Sequence, residues 1–132
     1  MIIDGQEYVV KIDNRTYHCA VDVALGHVGG KWKTVVLYYL IDSAKRYSEL
    51  RKLIPEISEK MLAKALRELQ SDGFVRRHDH HTMPPHVEYS LTPEGRTLVP
   101  LLETLAEWGK QKTARSGGKV LIRNRLETED RK

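Results

Sequence analysis

Ser48-Glu49-Leu50-Arg51-Lys52-Leu53-Ile54-Pro55-Glu56-Ile57-Ser58-Glu59-Lys60-Met61-Leu62-Ala63-Lys64-Ala65-Leu66-Arg67-Glu68-Leu69-Gln70-Ser71-Asp72-Gly73 is the stretch on which the reading of this chain turns. Ser48 is placed to cap a brief helix through about Ile54, with Leu50, Leu53 and Ile54 facing inward. Pro55-Glu56-Ile57 breaks it. Ser58 then caps a longer helix in which Leu62, Leu66 and Leu69 recur at i, i+4 and i+7, so that they share one face. Asp72-Gly73 ends it, because glycine enters the left-handed region without a Cβ clash. Helix, three-residue break, helix is the spacing of a helix-turn-helix.

Working outward, two strands follow, Phe74–Asp79 and about His86–Leu91. In the second, Val87, Tyr89 and Leu91 alternate with His86, Glu88 and Ser90, the period of a half-buried strand. A loop holding Thr82-Met83-Pro84-Pro85 joins them, and a hairpin placed directly after a helix-turn-helix makes a wing. Thr92-Pro93 opens another helix, with Thr92 as cap and Pro93 in the first helical position. Leu98, Leu101, Leu102, Leu105 and Trp108 give that helix a long apolar stripe, and Pro100 is expected to bend it.

Upstream, Asp22 is expected to cap a helix running through Val28, which Gly29-Gly30 ends. A further helix spans about Lys31 to Asp42, with Trp32, Val35, Val36, Tyr39 and Leu40 on one stripe. Leu37, Tyr38 and Ile41 make it apolar nearly all round, which marks a helix that is buried or at an interface. Before it, Glu7–Ile12 and Arg15–Tyr17 are β-like runs around the turn residues Asp13-Asn14. The expected class is α+β, a winged helix-turn-helix with flanking dimerisation helices. The expected division is an arm over 1–18, the main domain over 19–113 and a charged, mobile tail over 114–132 that includes Val120-Leu121-Ile122.

A chain of 132 residues with 40% hydrophobic and 30% charged residues suits one globular domain. Its longest apolar run, Val35 to Ile41, is too short to cross a bilayer, so no membrane partner is expected. The opening Met-Ile-Ile-Asp lacks a signal-peptide pattern, which makes a cytoplasmic location the expectation. The one cysteine, Cys19, excludes an internal disulfide framework and a cysteine-based zinc finger.

Charge is unevenly placed. Lys45 to Arg77 holds nine Lys and Arg against five Asp and Glu, which accounts for the whole net charge of +4. Such a segment is what an electrostatic footprint on phosphate requires, and a solvated basic face has the same composition. On the helix beginning at Ser58, removal of the core positions leaves Ser58, Glu59, Lys60, Ala63, Lys64 and Arg67 near one outer face. Lysine and arginine bond guanine O6/N7 or phosphate, and a small residue such as Ala63 lets a helix approach base edges. Arg76 and Arg77 open the wing and are further candidates for DNA contact.

His78, His80, His81 and His86 crowd the wing. The run His78-x-His80-His81 matches no closed metal-site pattern, and no carboxylate or thiolate clearly completes it, so neither metal nor cofactor is assigned. No enzyme is read here either. Gly29-Gly30 lacks the spacing of a phosphate-binding loop, and the adjacent His18 and Cys19 are poorly disposed to act as base and nucleophile.

Cys19-Ala20-Val21-Asp22, Gly29-Gly30-Lys31-Trp32-Lys33, Arg46-Tyr47-Ser48-Glu49-Leu50, Ile57-Ser58-Glu59-Lys60-Met61-Leu62, Leu66-Arg67-Glu68-Leu69 and Asp72-Gly73 occur in that order. With Pro84-Pro85-His86-Val87-Glu88-Tyr89-Ser90-Leu91-Thr92 and Trp108-Gly109, this set resembles the HxlR-type bacterial and archaeal regulators from Cys19 to Gly109. The resemblance implies a winged-helix homodimer on double-stranded operator DNA, with the recognition helix starting at Ser58 and dimer contacts from the first and last helices. The chain departs from the family at His80 and His81, where an aromatic and often a proline are usual. Some members of the family are redox or electrophile sensors through the cysteine equivalent to Cys19, which here lies just ahead of a helix whose dipole favours a thiolate. A small buried apolar residue is the plainer reading of Cys19. The function expected is a dimeric, DNA-binding transcriptional regulator, and the alternative is a winged-helix module that binds protein and no DNA.

Overall fold

The computed structural model describes residues 2–119 and Leu121, and a boundary between two compact units falls after Leu98. The first unit contains β1 (Ile2–Ile3), β2 (Gln6–Glu7), β3 (Val10–Ile12), β4 (Arg15–Tyr17), α1 (Ala20–Val28) and α2 (Lys31–Tyr39). It continues with α3 (Tyr47–Leu53), α4 (Glu59–Ser71), β5 (Val75–Asp79), β6 (Val87–Leu91) and α5 (Pro93–Arg96). The second unit holds α6 (Val99–Arg115). This is the α+β winged helix-turn-helix order expected from the sequence.

α4 begins where Ser58 Oγ accepts the Met61 N–H at 3.1 Å, as its sequence predicts. Leu62, Ala65, Leu66 and Leu69 are buried along one side. Val36, Leu37 and Leu40 of the α2 segment, Leu50 of α3, and Ile54 and Ile57 of the turn are buried with them. Phe74, Val75 and Leu91 complete this core at the base of the wing. Each aliphatic side chain so withdrawn from water contributes about 1.5–3 kcal/mol. Of the nine α2 residues, Val36 and Leu37 are buried, Trp32, Val35 and Tyr39 are half-buried, and Tyr38 stays exposed. Gly73, at φ +81°, lets the chain reverse out of α4 into β5.

The wing pairs Val75 with Leu91, Arg76 with Ser90, Arg77 with Tyr89, His78 with Glu88 and Asp79 with Val87. A third, one-residue strand is absent from the sequence reading. Lys45 exchanges both backbone hydrogen bonds with Tyr89, at 2.9 and 2.8 Å, along the free edge of β6. Its side chain is almost wholly covered, and Nζ donates to Asp42 Oδ1 at 2.9 Å, Ser43 Oγ at 2.6 Å and Ser43 O at 3.2 Å. All three ammonium protons are thereby used, as a covered lysine requires. The same hydrogen bond holds the Asp42 carboxyl below its usual range.

Several expected boundaries move. Cys19, not Asp22, is the N-cap of α1, and Asp22 reaches back to accept the His18 N–H at 2.8 Å. α3 starts after Arg46 rather than Ser48, with Glu49 accepting the Arg46 N–H at 2.9 Å. α2 ends at Tyr39. The single bent helix expected from Thr92 is two helices. A proline ring at 100 would collide with the Arg96 carbonyl in a continuous helix, so the chain turns at Thr97 and Leu98 and Pro100 falls in the first turn of α6. The arm forms two hairpins, β1 with β2 and β3 with β4, the first through an Asp4-Gly5 turn with φ of 51° and 78°. Tyr17 is buried, its ring edge 3.4 Å from where a Cβ on Gly26 would stand, so the arm leans on α1. Of the expected tail, Ala114 and Arg115 close α6, while Val120 and residues 122–132 lie outside the described residues.

Gly95 offers a check on the wing-to-helix junction. Thr92 N–H donates to Phe74 O at 3.0 Å, and Thr92 Oγ1 accepts the Gly95 N–H at 3.0 Å, pressing α5 onto the base of β5. A Cβ on Gly95 would stand 2.2 Å from the Phe74 carbonyl oxygen, a backbone atom with little freedom to yield. Gly95→Ala should therefore destabilise the fold by about 1–3 kcal/mol in urea titration. An unchanged midpoint would refute this close approach.

Candidate nucleic-acid interface

The turn between α3 and α4 is held from α3. Tyr47 and Arg51 stand one helical turn apart, and both donate to backbone carbonyls at the start of α4. Tyr47 Oη donates to Glu59 O at 3.0 Å, and Arg51 Nη1 donates to Ile57 O. Ile57 is itself buried, so the turn is pinned by packing on one side and by these two donors on the other. Neither residue was among the sequence candidates. Their i, i+4 spacing immediately before a break was the available signal.

With the inner side of α4 buried, its outer side is set. Lys60, Ala63, Lys64 and Arg67 recur at i, i+3, i+4 and i+7. Ser58, Lys60, Lys64 and Arg67 are exposed and Ala63 is half-buried between them. No hydrogen bond or ion pair among the described residues engages the Lys60, Arg67 or Arg76 head groups. Lys64 lies 3.9 Å from Glu68, which also meets Lys33 Nζ at 3.7 Å; Lys33 in turn reaches Asp72 at 3.2 Å. An exposed pair of this kind contributes about 0–1 kcal/mol, too little to keep Lys64 from a phosphate.

Arg76 and Arg77 are both exposed on β5, but consecutive strand residues project to opposite faces. The structure therefore separates the two. Arg76 shares a face with His78, His80, His86 and Glu88, whereas Arg77 shares the other with Tyr89. The carboxylate missing from the histidine run arrives across the hairpin: Glu88 Oε1 is 2.5 Å from His86 Nε2, and Glu88 Oε2 is 3.7 Å from His80 Nε2. The hydrogen bond with His86 holds the Glu88 carboxyl below the ordinary carboxylate range. His81 instead turns to Asp79, its N–H donating to Oδ1 at 2.8 Å, and this bond likewise lowers the Asp79 carboxyl. A local sequence window misses this grouping because the hairpin register sets His78 opposite Glu88 and His80 beside His86.

Cys19, at the head of α1, is half-buried. Beyond it, Val21 and Leu25 stand exposed on α1 at i and i+4. On α6, Leu101, Leu105 and Trp108 are exposed at i, i+4 and i+7, Trp108 retaining 58% of its surface. Among the described residues, no helix is long and apolar enough to cross a membrane.

Comparison with known proteins gives the same motif. The profile of the family described as HxlR-like helix-turn-helix matches residues 27–116. An uncharacterized HTH-type transcriptional regulator of Methanothermobacter thermautotrophicus is 47% identical over 94 residues, 71% of this chain and 72% of its own length. The HTH-type transcriptional regulator YybR of Bacillus subtilis is 48% identical over 92 residues, 70% of this chain and 74% of its own. Among solved structures, the redox regulator HypR in its oxidized form superposes with a TM-score of 0.69 at 47% identity, covering 70% of this chain and 96% of HypR. With the family profile spanning most of a chain whose core builds the same helix-turn-helix and wing, the protein belongs to the HxlR-like helix-turn-helix family.

Proposed function

We propose that this transcriptional regulator binds double-stranded operator DNA as a homodimer, with α4 in the major groove and the wing against the neighbouring backbone. The observation that carries the reading is the exposed Lys60, Lys64 and Arg67, with Ala63 half-buried between them, on a helix whose opposite side is core. The cations suit guanine edges and phosphates, Ala63 leaves room for close approach, and Ser58 with the first-turn N–H groups of α4 suits a phosphate. Arg76 and Arg77 add charge on the two faces of the wing. The basic concentration around α4 argues against a module that binds only protein. Affinity for operator DNA recovered from the host should fall steeply as salt rises. Lys64→Ala and Arg67→Ala should each weaken it, by about 1–3 kcal/mol where a base contact is lost. Undiminished binding by the double variant would refute the assignment.

The exposed apolar rows of α1 and α6 support assembly as a dimer. A two-fold arrangement would cover them and set two recognition helices about 34 Å apart, one turn of B-DNA. Light scattering at micromolar concentration should give twice the chain mass, and Leu105→Asp with Trp108→Ala should give one. A wild-type monomer would refute the dimer.

Cys19 is the candidate for the signal. It heads the helix that exposes Val21 and Leu25, so an adduct there would stand beside a proposed dimer surface. HypR, to which the chain is similar, is a redox regulator. With no second cysteine in the chain, oxidation leads to a sulfenic acid, a mixed disulfide with a small thiol, or a bridge between two Cys19 residues. Peroxide or quinone treatment should change operator affinity in the wild type and not in Cys19→Ser. Identical responses in both would make Cys19 structural.

A further inference from the structure

The face of the wing that carries Arg76 holds a group of side chains that DNA binding leaves unexplained. Register places His78 opposite Glu88. The next step along the hairpin brings His80 beside His86, with His80 N–H donating to His86 O at 2.9 Å. Side chains two apart on a strand share a face, so His78, His80, His86 and Glu88 stand together. The His80 and His86 rings lie 4.1 Å apart between centroids and are tilted by 32°. His78 meets His80 edge-on at 4.4 Å. One donor atom from each of His80, His86 and Glu88 falls within 4.8 Å of the other two.

We propose that this face is a binding site for a divalent transition-metal ion, with His80 Nε2, His86 Nε2 and a Glu88 carboxylate oxygen as ligands. His86 meets Glu88 directly through a hydrogen bond, whereas His80 reaches the same carboxylate only as a longer ion pair. His80 Nε2 points at the same carboxylate from 3.7 Å, beyond hydrogen-bond reach, where an ion between the groups would engage it. Ligands about 2.05 Å from a tetrahedral zinc stand roughly 3.3 Å from one another. His86 Nε2 lies 2.5 Å from Glu88 Oε1 and His80 Nε2 3.7 Å from Oε2 of the same carboxylate, and one donor atom of each residue lies within 4.8 Å of the other two, so rotations about the side-chain torsions would bring the three onto one ion. Two imidazoles and one carboxylate suit zinc, nickel, cobalt or copper, whereas magnesium and calcium prefer oxygen alone. Three protein ligands leave a position for water or for His78. Because the ligands come from both arms of the hairpin, an ion would cross-link β5 to β6 just below the tip. It would also add positive charge to the face that bears Arg76.

The site is independent of the DNA reading and is tested without DNA. Zn²⁺ is titrated into the full chain against a chromophoric chelator, and Co²⁺ is added separately for its visible absorption. One ion per chain is expected. His86→Ala and Glu88→Gln should each weaken binding on the order of a hundredfold. His81→Ala and Cys19→Ser should retain it, because His81 turns to Asp79 and Cys19 lies outside the group. Zinc should raise the melting temperature of the wild type and of His81→Ala, but not of His86→Ala or Glu88→Gln. Circular dichroism before zinc addition verifies that each variant is folded, and His80→Ala replaces any that is not. Equal zinc affinity in wild type, His86→Ala and Glu88→Gln would overturn the proposal. So would an equal loss in His81→Ala, or binding that Cys19→Ser abolishes.

Discussion

Leu62, Leu66 and Leu69 are withdrawn from water almost completely, and they remain so only while α4 keeps one side turned to Val36, Leu37, Leu40 and Leu50. At about 1.5–3 kcal/mol for each buried leucine, rotation of α4 by half a turn would cost an amount comparable with the whole stability of a small domain. The outward direction of Lys60, Lys64 and Arg67 is thus a by-product of packing. Nothing in those three residues holds them there: Lys64 has one weak ion pair, and the head groups of the other two have no partner among the described residues. The core supplies direction, and the exposed side chains are left free to meet a ligand.

Direction alone does not fix the tilt of α4 against α3. That depends on two polar contacts that both end on backbone carbonyls, Tyr47 to Glu59 and Arg51 to Ile57. A carbonyl acceptor is indifferent to the side chain of the residue that bears it, so these two links constrain the turn's backbone, while its side chains are constrained by the burial of Ile54 and Ile57. Lys45 works in the same manner at the wing. Its backbone ties the strand β6 to the connection between α2 and α3, and its ammonium closes that connection on Asp42 and Ser43. α4 is thereby linked to α3, and the wing to the connection that leads into α3, by short, local contacts.

What the sequence made legible follows the physics that is local. The α4 stripe, its Ser58 cap, the Gly73 exit and the Thr92 cap all depend on residues within one or two turns, and each stands where periodicity and capping chemistry place it. The misjudged helix starts at Cys19 and Arg46 share one cause. In both, an acidic side chain in the first turn reaches back to an upstream N–H, so the cap lies ahead of the residue that seems best suited to it. The Lys45 strand was out of reach because single-residue pairing leaves no alternation to detect, and the approach of Glu88 to His80 because it depends on the hairpin register. Pro100 was read correctly as a disturbance, but as a bend in one helix instead of the start of another.

The Lys45–Tyr89 pairing has a consequence for how copies of the chain meet. It blocks the open side of β6 at its middle residue, Tyr89, while β5 is the outer strand of the wing sheet. β5 reads Val75-Arg76-Arg77-His78-Asp79, and an edge crowded with bulky charged side chains is a poor template for another strand. Backbone-directed growth of this sheet from molecule to molecule is discouraged on both sides, by occupancy at β6 and by charge at β5. The proposed dimer would accordingly rest on helical surfaces, whose side-chain patterns can specify a closed and countable assembly.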